Sequence, residues 1–514
     1  MTRPAWTIPA LPERSNDVTA PHPLEVLVIG AGFAGIGAAI KLLEKGVTNF
    51  RVYDKAEGIG GTWWHNRYPG AACDVPSHFY CYSFEPNPDW SRLHAPQPEI
   101  QAYIERCAEK YGVMPYVELG REITALSWNA KRALWSAAFA DGDIVEARFV
   151  INGMGALHRP KTPYFPGADL FAGEAMHTAC WNPDFDSASK HIAVIGSAAS
   201  AIQAVPELAK TAAMVHLFQR TPNYVAPRND FAYSEEQRAQ FRRDPDAMRA
   251  ERERIFDEAE TRLWPLIVDQ AARDRTRELL KLYLGSQVRN RKYRAALTPG
   301  FDVGCKRLLF SDDFLASLNE DNVELVTEPI REFTAAGVVT GGGVERPVDA
   351  IVYATGFDIE SHQRSIDIRG ENGLSLSDAW KDGAQAYYSV LLPEFPNYFM
   401  ATGPNSGVAT TSVVFMIEQA LDWILRCIDM AGRDGVVTVT PEALADYNRE
   451  IDERLGSTVW VTGGCRSWYH SAEGRVETLF PGNADDYRRQ MSEVDRDHVR
   501  IVTPAHADMA GAPR

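Results

Sequence analysis

The first sustained apolar run, Val26-Leu27-Val28-Ile29 behind Glu25, has strand length and no polar alternation, the pattern of a strand buried on both faces. It stops at Gly30-Ala31-Gly32-Phe33-Ala34-Gly35. Beyond that turn Ile36, Ile40 and Leu43 recur at spacings of four and three, the period of one helix face, until about Gly46. A second strand-like run, Phe50-Arg51-Val52-Tyr53, closes on Asp54. The pattern predicts a strand, a tight glycine turn, a helix and a parallel strand.

A similar order returns later. His191-Ile192-Ala193-Val194-Ile195 runs into Gly196-Ser197-Ala198-Ala199-Ser200-Ala201, then a helix, then the strand Val215-His216-Leu217-Phe218. Two further runs, Ala147-Arg148-Phe149-Val150-Ile151 and Asp349-Ala350-Ile351-Val352-Tyr353, end in the small-residue turns Asn152-Gly153-Met154-Gly155 and Ala354-Thr355-Gly356-Phe357. They read as strands that bring the chain back to each glycine turn. Between about Ser234 and Pro299 the chain turns densely charged, with Phe241, Met248 and Ile255 at seven-residue intervals. That spacing predicts one apolar face of a surface helix, broken near Pro265, within a helical insertion that covers a cleft or serves only as structure.

The turn chemistry points to dinucleotides. Gly30 permits the tight turn, Gly32 lets backbone approach a pyrophosphate, and Gly35 lets helix and strand pack closely. The helix N-terminus offers free N–H groups and positive dipole to the phosphates. Asp54, 24 residues after Gly30, suits ribose hydroxyls. The residue 24 after Gly196 is Arg220, a guanidinium that pairs with a 2′-phosphate where an acid would repel it. The first unit therefore reads as a site for a non-phosphorylated dinucleotide and the second as a site for NADPH. Ala198 replaces the middle glycine and is expected to loosen the second site. The fold class expected is α/β, with two Rossmann-like dinucleotide-binding domains and the helical insertion, about 231–300, in the second.

Composition narrows the rest. The chain has 514 residues, 45% hydrophobic and 24% charged, with net charge −16. An acidic surface disfavours nucleic acid and anionic membranes as partners. No apolar run reaches membrane-spanning length, and Met1 to Pro23 lacks the apolar core of a signal peptide, so a cytoplasmic setting is expected. The seven cysteines form no CxxC pair and read as reduced thiols. P-loop, HExxH, GxSxG and metal-ligand spacings are missing, so no metal is expected. Nothing in the chain sets an oligomeric state.

Two segments are distinctive: Gly60-Gly61-Thr62-Trp63-Trp64-His65-Asn66-Arg67-Tyr68-Pro69-Gly70-Ala71-Ala72-Cys73-Asp74 and Phe171-Ala172-Gly173-Glu174-Ala175-Met176-His177-Thr178-Ala179-Cys180-Trp181. Together they resemble the Baeyer–Villiger monooxygenases, single-chain flavin enzymes that use FAD and NADPH. The second fits the fingerprint F-x-G-x-x-x-H-x-x-x-W, although Asn182 stands where Pro or Asp is usual. Gly403-Pro404-Asn405-Ser406 and Gly464-Cys465-Arg466-Ser467-Trp468-Tyr469 look most similar to the branch that includes 4-hydroxyacetophenone monooxygenase.

The resemblance implies an FAD domain over 24–157 and 386–514, an NADPH domain over 158–385 and an N-terminal extension over 1–23. It implies that Gly30, Gly32, Gly35 and Asp54 hold the FAD adenosine side, with Thr62, Trp63 and Tyr80 farther along. Gly196, Ser197, Ala198 and Ser200 would cradle NADPH, and Arg220, Thr221 and Lys306 would hold its 2′-phosphate. Arg307 would be the active-site cation and Asp74 the acid that orients it, both beside the cofactors. His177 and Trp181 would be structural or coupling residues. The implied reaction is oxygen insertion from dioxygen next to a ketone carbonyl, giving an ester or lactone through a C4a-peroxyflavin steadied by Arg307. Nitrogen or sulfur oxidation is the first alternative, and a non-oxygenating reductase or inactive FAD-binding module the second.

Overall fold

The computed structural model describes residues 23–359 and 365–503, so the expected extension over 1–23 lies, but for Pro23, outside the described residues. Leu24–Ile29 is an inner strand of an eight-stranded sheet. It pairs in parallel with Phe50–Tyr53, Val28 opposite Val52, and with Ile144–Asn152, Val28 opposite Ile151. Val26 and Val28 pack on the face that carries helix Phe33–Glu44, while Leu27 and Ile29 enter the opposite core with Trp135 and Tyr398. The strand is buried on both sides, which is why its run shows no alternation. Helix Val413–Ala431 covers helix Phe33–Glu44 and completes that layer.

A second sheet has five parallel strands in the order Val323–Val326, Met214–Phe218, His191–Ile195, Ala350–Tyr353, Glu174–His177. Here too Ile192 and Val194 face one core, Ala193 and Ile195 the other. The fingerprint segment supplies the edge strand, with His177 opposite Tyr353. The His177 ring accepts a hydrogen bond from the Ala179 N–H at 3.0 Å and stands edge-on to Phe357. Trp181 stands edge-on to Phe185 against the second core. The chain re-enters the first sheet at Asp367–Arg369, which pairs with Ile123–Asn129, ahead of the return at 386 that the sequence suggested. No helix among the described residues is long and apolar enough to cross a membrane.

The insertion is helical, but its breaks differ from the expected ones. Phe241 belongs to helix Glu235–Arg243, whereas Met248 and Ile255 lie on Pro245–Val268, which runs on through Pro265. The chain turns instead at Asp244 and Asp269, whose carboxylates cap the helices that follow. Pro265 lies in the last turn of that helix, so its missing N–H removes one hydrogen bond close to the end and leaves the turns before it intact. All three apolar residues of the heptad are nonetheless buried.

The long helix seals onto the first-sheet unit. Phe256 packs against Phe79 and Phe415, and Arg252 donates to the carbonyls of His78 and Cys81, both at 3.1 Å. Arg252 also faces the buried Glu418 carboxylate at 3.6 Å. Glu418 accepts from the Ser83 N–H and hydroxyl at 2.8 and 2.9 Å. Arg252→Ala leaves that carboxylate without its cation and is expected to destabilise the fold by about 3 kcal/mol. A thermal melt reads the loss, and adding Glu418→Gln should recover much of it; an unchanged melting temperature in the single variant would reject this role.

Candidate active site

The two glycine turns are built alike. Gly30 and Gly196 have φ of +92° and +110°, and a Cβ on either would meet the carbonyl oxygen of the returning strand's turn, Gly153 at 3.1 Å or Ala354 at 2.3 Å. Gly35 has no room at all: a Cβ there would lie 1.7 Å from the Gly30 oxygen. Gly32 and Ala198 share one backbone conformation, φ −85°, ψ −163° and φ −96°, ψ −160°, so the alanine adds a methyl without strain.

Neither helix start carries a side-chain cap. By contrast, helices Pro245–Val268, Gln270–Gln287, Val413–Ala431 and Pro441–Gly456 are capped by Asp244, Asp269, Ser412 and Thr440. The first-turn N–H groups behind the glycine turns thus remain for pyrophosphate oxygens, which fits a dinucleotide at each. Asp54 ends the second strand beside the first turn, accepting from the Ala31 N–H at 2.7 Å and the Ala56 N–H at 2.8 Å.

In the second unit Arg220 and Thr221 are exposed at the end of strand Met214–Phe218. The Ser197 hydroxyl donates to the Thr221 carbonyl at 3.3 Å. Lys306 lies close to Arg220: burial first, then the Arg220 charge, pulls its pKa below the ordinary lysine value. Two cations that repel each other, neither ion-paired with a carboxylate among the described residues, make a ready seat for a phosphate. Ser200 stands against the Tyr68 phenol, which hydrogen-bonds Gln203 at 2.8 Å, and Gln203 donates to the Ala72 carbonyl at 2.9 Å. The glycine-tryptophan segment of the first unit is thereby fastened to the helix of the second. Sequence reasoning placed Tyr68 only within the distinctive glycine-tryptophan segment and gave Gln203 no role.

Thr62 opens the short helix Thr62–His65, and Trp63 donates from its indole N–H to the Tyr80 hydroxyl at 3.1 Å. Tyr80 has its pKa raised, by burial first, then by Cys73 and Asp74 nearby. These side chains therefore adjoin the next pair. Arg307, 233 residues from Asp74, donates from Nε at 2.8 Å and Nη2 at 2.7 Å to the two carboxylate oxygens. Burial alone would raise the Asp74 pKa, but the charge and hydrogen bonds of Arg307, with Arg228 and His94 behind them, hold it below the usual carboxylate value. Asp74 in turn raises the pKa of Arg307 against burial, so the guanidinium stays charged. Consecutive residues thus face different units, Lys306 toward Arg220 and Arg307 toward Asp74.

One expectation fails at this point. Cys305 and Cys465 are joined in a disulfide, with Cα atoms 6.1 Å apart across 160 residues, and are not reduced thiols. The other five cysteines are free. The pairing had no local signal because the partners sit on separate loops that only the fold brings together. The tethered segment carries Tyr469 against Arg307; burial pushes its phenol up to about 12, and the guanidinium works the other way. Trp468 beside it is exposed.

A family model described as pyridine nucleotide-disulphide oxidoreductase matches residues 27–242. The chain is 37% identical over 493 residues to a Baeyer–Villiger monooxygenase of Pseudomonas aeruginosa, spanning 95% of this chain and 94% of that one. It is 36% identical over 489 residues to a Baeyer–Villiger monooxygenase of Streptomyces coelicolor, with 95% and 94% covered. Among solved structures, cyclohexanone monooxygenase from Rhodococcus sp. Phi1 bound to NADP+ superposes with a TM-score of 0.86 at 30% identity, over 94% of this chain and 100% of that one.

Proposed function

This chain belongs to the Baeyer–Villiger monooxygenase family, and on that premise we propose that it converts a small-molecule ketone and dioxygen into an ester or lactone, with FAD in the first glycine turn, NADPH in the second and Arg307 as the catalytic cation. Bound FAD, once reduced by NADPH, supplies the activated oxygen. The protein binds, orients and excludes water. The bidentate pair between Asp74 and Arg307 is the observation that carries this reading.

Oxygen insertion beside a carbonyl builds negative charge on oxygen, first on the attacking atom and then on the former carbonyl. A fixed cation that cannot lose its proton stabilises both, and only arginine meets that requirement at any working pH. Asp74 takes two of the five guanidinium donors and fixes the plane, Tyr469 stands against another part of the group, and the donors that remain can meet the reacting oxygens. Trp63 and Tyr80 wall one side of the same region.

The test is a panel of aryl, linear and cyclic ketones, incubated with holoenzyme, NADPH and air and read by mass spectrometry. A product with one oxygen more than the ketone supports the proposal; products only from amines or sulfides would overturn it. The Arg220 and Lys306 pair adds a second expectation. Arg220→Ala should raise the KM for NADPH by roughly tenfold or more, the worth of a charge-assisted hydrogen bond, with the KM for NADH little changed. Parallel shifts for both cofactors would reject a 2′-phosphate contact.

A further inference from the structure

The Cys305–Cys465 disulfide lies beside the active-site cation. Cys305 is two residues before Arg307 and has no exposed surface. Its loop meets the C-terminal segment through the disulfide itself, through the Asp302 N–H to the Gly463 carbonyl at 2.9 Å, and through Tyr469 against Arg307. Asp74 fixes one edge of the guanidinium. The two ends of the loop are held elsewhere, by the Tyr224 hydroxyl on the Phe301 carbonyl at 2.8 Å and by the Leu309 N–H on the Tyr224 carbonyl at 3.1 Å; the stretch between them, from which Arg307 projects, is tied to the C-terminal segment at Cys305.

We propose that the Cys305–Cys465 disulfide is a positioning device for Arg307 whose redox state sets how much of the NADPH consumed ends in oxygenated product. The proposal rests on the function given above. A displacement of about 1 Å at a reacting group lowers a rate on the order of a hundredfold, so a loop released from its tether loses oxygen transfer before it loses cofactor binding. Flavin reduction draws on the two glycine turns and Arg220, which lie outside the loop; Lys306 lies within it, so release of the loop weakens NADPH binding while reduction at saturating NADPH persists.

The opening step is thiol exchange. Cys465 is half-buried while Cys305 is covered, so an external dithiol attacks the Cys465 sulfur. The S–S bond breaks with its electron pair on Cys305, which takes up a proton. The second thiolate of the reductant then displaces Cys465, which is protonated in its turn, and the reductant closes its own disulfide. Two electrons and two protons have moved, and an oxidised dithiol reverses the exchange.

The experiment uses holoenzyme isolated in air, reduced with a dithiol and desalted. Alkylation of denatured samples should count five thiols before reduction and seven after, the five free cysteines and then all seven. Amide exchange over 303–308 should quicken about tenfold on reduction as that stretch is freed. Ester formed per NADPH should fall about tenfold, with hydrogen peroxide making up the difference, while the rate of flavin reduction at saturating NADPH stays within about twofold. Reoxidation should restore coupling, and Cys465→Ser should behave as the reduced enzyme and ignore the reductant. A purely structural disulfide would lower the melting temperature and leave the ester yield per NADPH intact, which would overturn the proposal. So would seven thiols in freshly isolated, fully coupled enzyme, or unchanged amide exchange. Absence of ester from the oxidised form as well would overturn the functional reading instead, and the exchange data would still decide whether the tether holds the loop.

Discussion

Arg307→Ala is expected to lower ester formation by about a thousandfold while NADPH still bleaches the bound flavin at close to the wild-type rate. Removal of one preorganised donor from an oxyanion site lowers a rate on the order of a hundred- to a thousandfold, and here a full charge goes with the donors. Arg307→Lys should recover little. Lysine keeps the charge but lacks the planar fork that meets both oxygens of Asp74, so the cation is no longer aimed. Stopped-flow absorbance of the flavin separates the reductive step from product formation measured by mass spectrometry. Ester at the wild-type rate from the alanine variant would remove Arg307 from the chemistry.

Gly35→Ala is expected to give protein without flavin. The added methyl would sit 1.7 Å from the Gly30 carbonyl oxygen, less than half a normal contact, and both atoms belong to backbone that no side-chain rotation can move. The helix must then back away from strand Leu24–Ile29, taking its N–H groups out of pyrophosphate reach. The second unit provides an internal contrast, since it has Ala201, fully buried, at the matching place. The flavin-to-protein absorbance ratio reads the effect directly. A normal ratio would mean that the turn relaxes without losing its ligand.

Much of this arrangement is visible in the sequence because it is local. An uninterrupted apolar strand, a glycine turn and a helix of regular period sit within thirty or so residues, and each signal reinforces the next. Asp54 and Arg220 could be found by counting, since strand and helix lengths set their distance from the turn. The Arg307 and Asp74 roles came from resemblance, and the structure brings those two residues together. What stayed hidden is long-range. No pattern marks Arg252 as the arginine that reaches across to Glu418, or Tyr68 as the side chain fastened to Gln203. Seven-residue spacing identified the buried face of the insertion but missed its break, because Asp244 stops one helix and caps the next between two residues of the same heptad. The return strand Asp367–Arg369 is too short to show a period. Cys305 and Cys465 look like scattered thiols until their loops meet.

The first sheet is closed by residues far apart in the chain, and this matters while the protein is being made. Residues Val150–Asn152 of strand Ile144–Asn152 wait for Tyr398–Met400, whose Tyr398 hydroxyl accepts from Asn152 across 246 positions. At roughly 5–20 residues per second a ribosome needs on the order of ten seconds or more to deliver that neighbour. Through that interval the nascent chain carries a short, open, apolar strand end at Val150–Asn152, so chaperone supply during translation should bear on the yield of flavin-loaded enzyme.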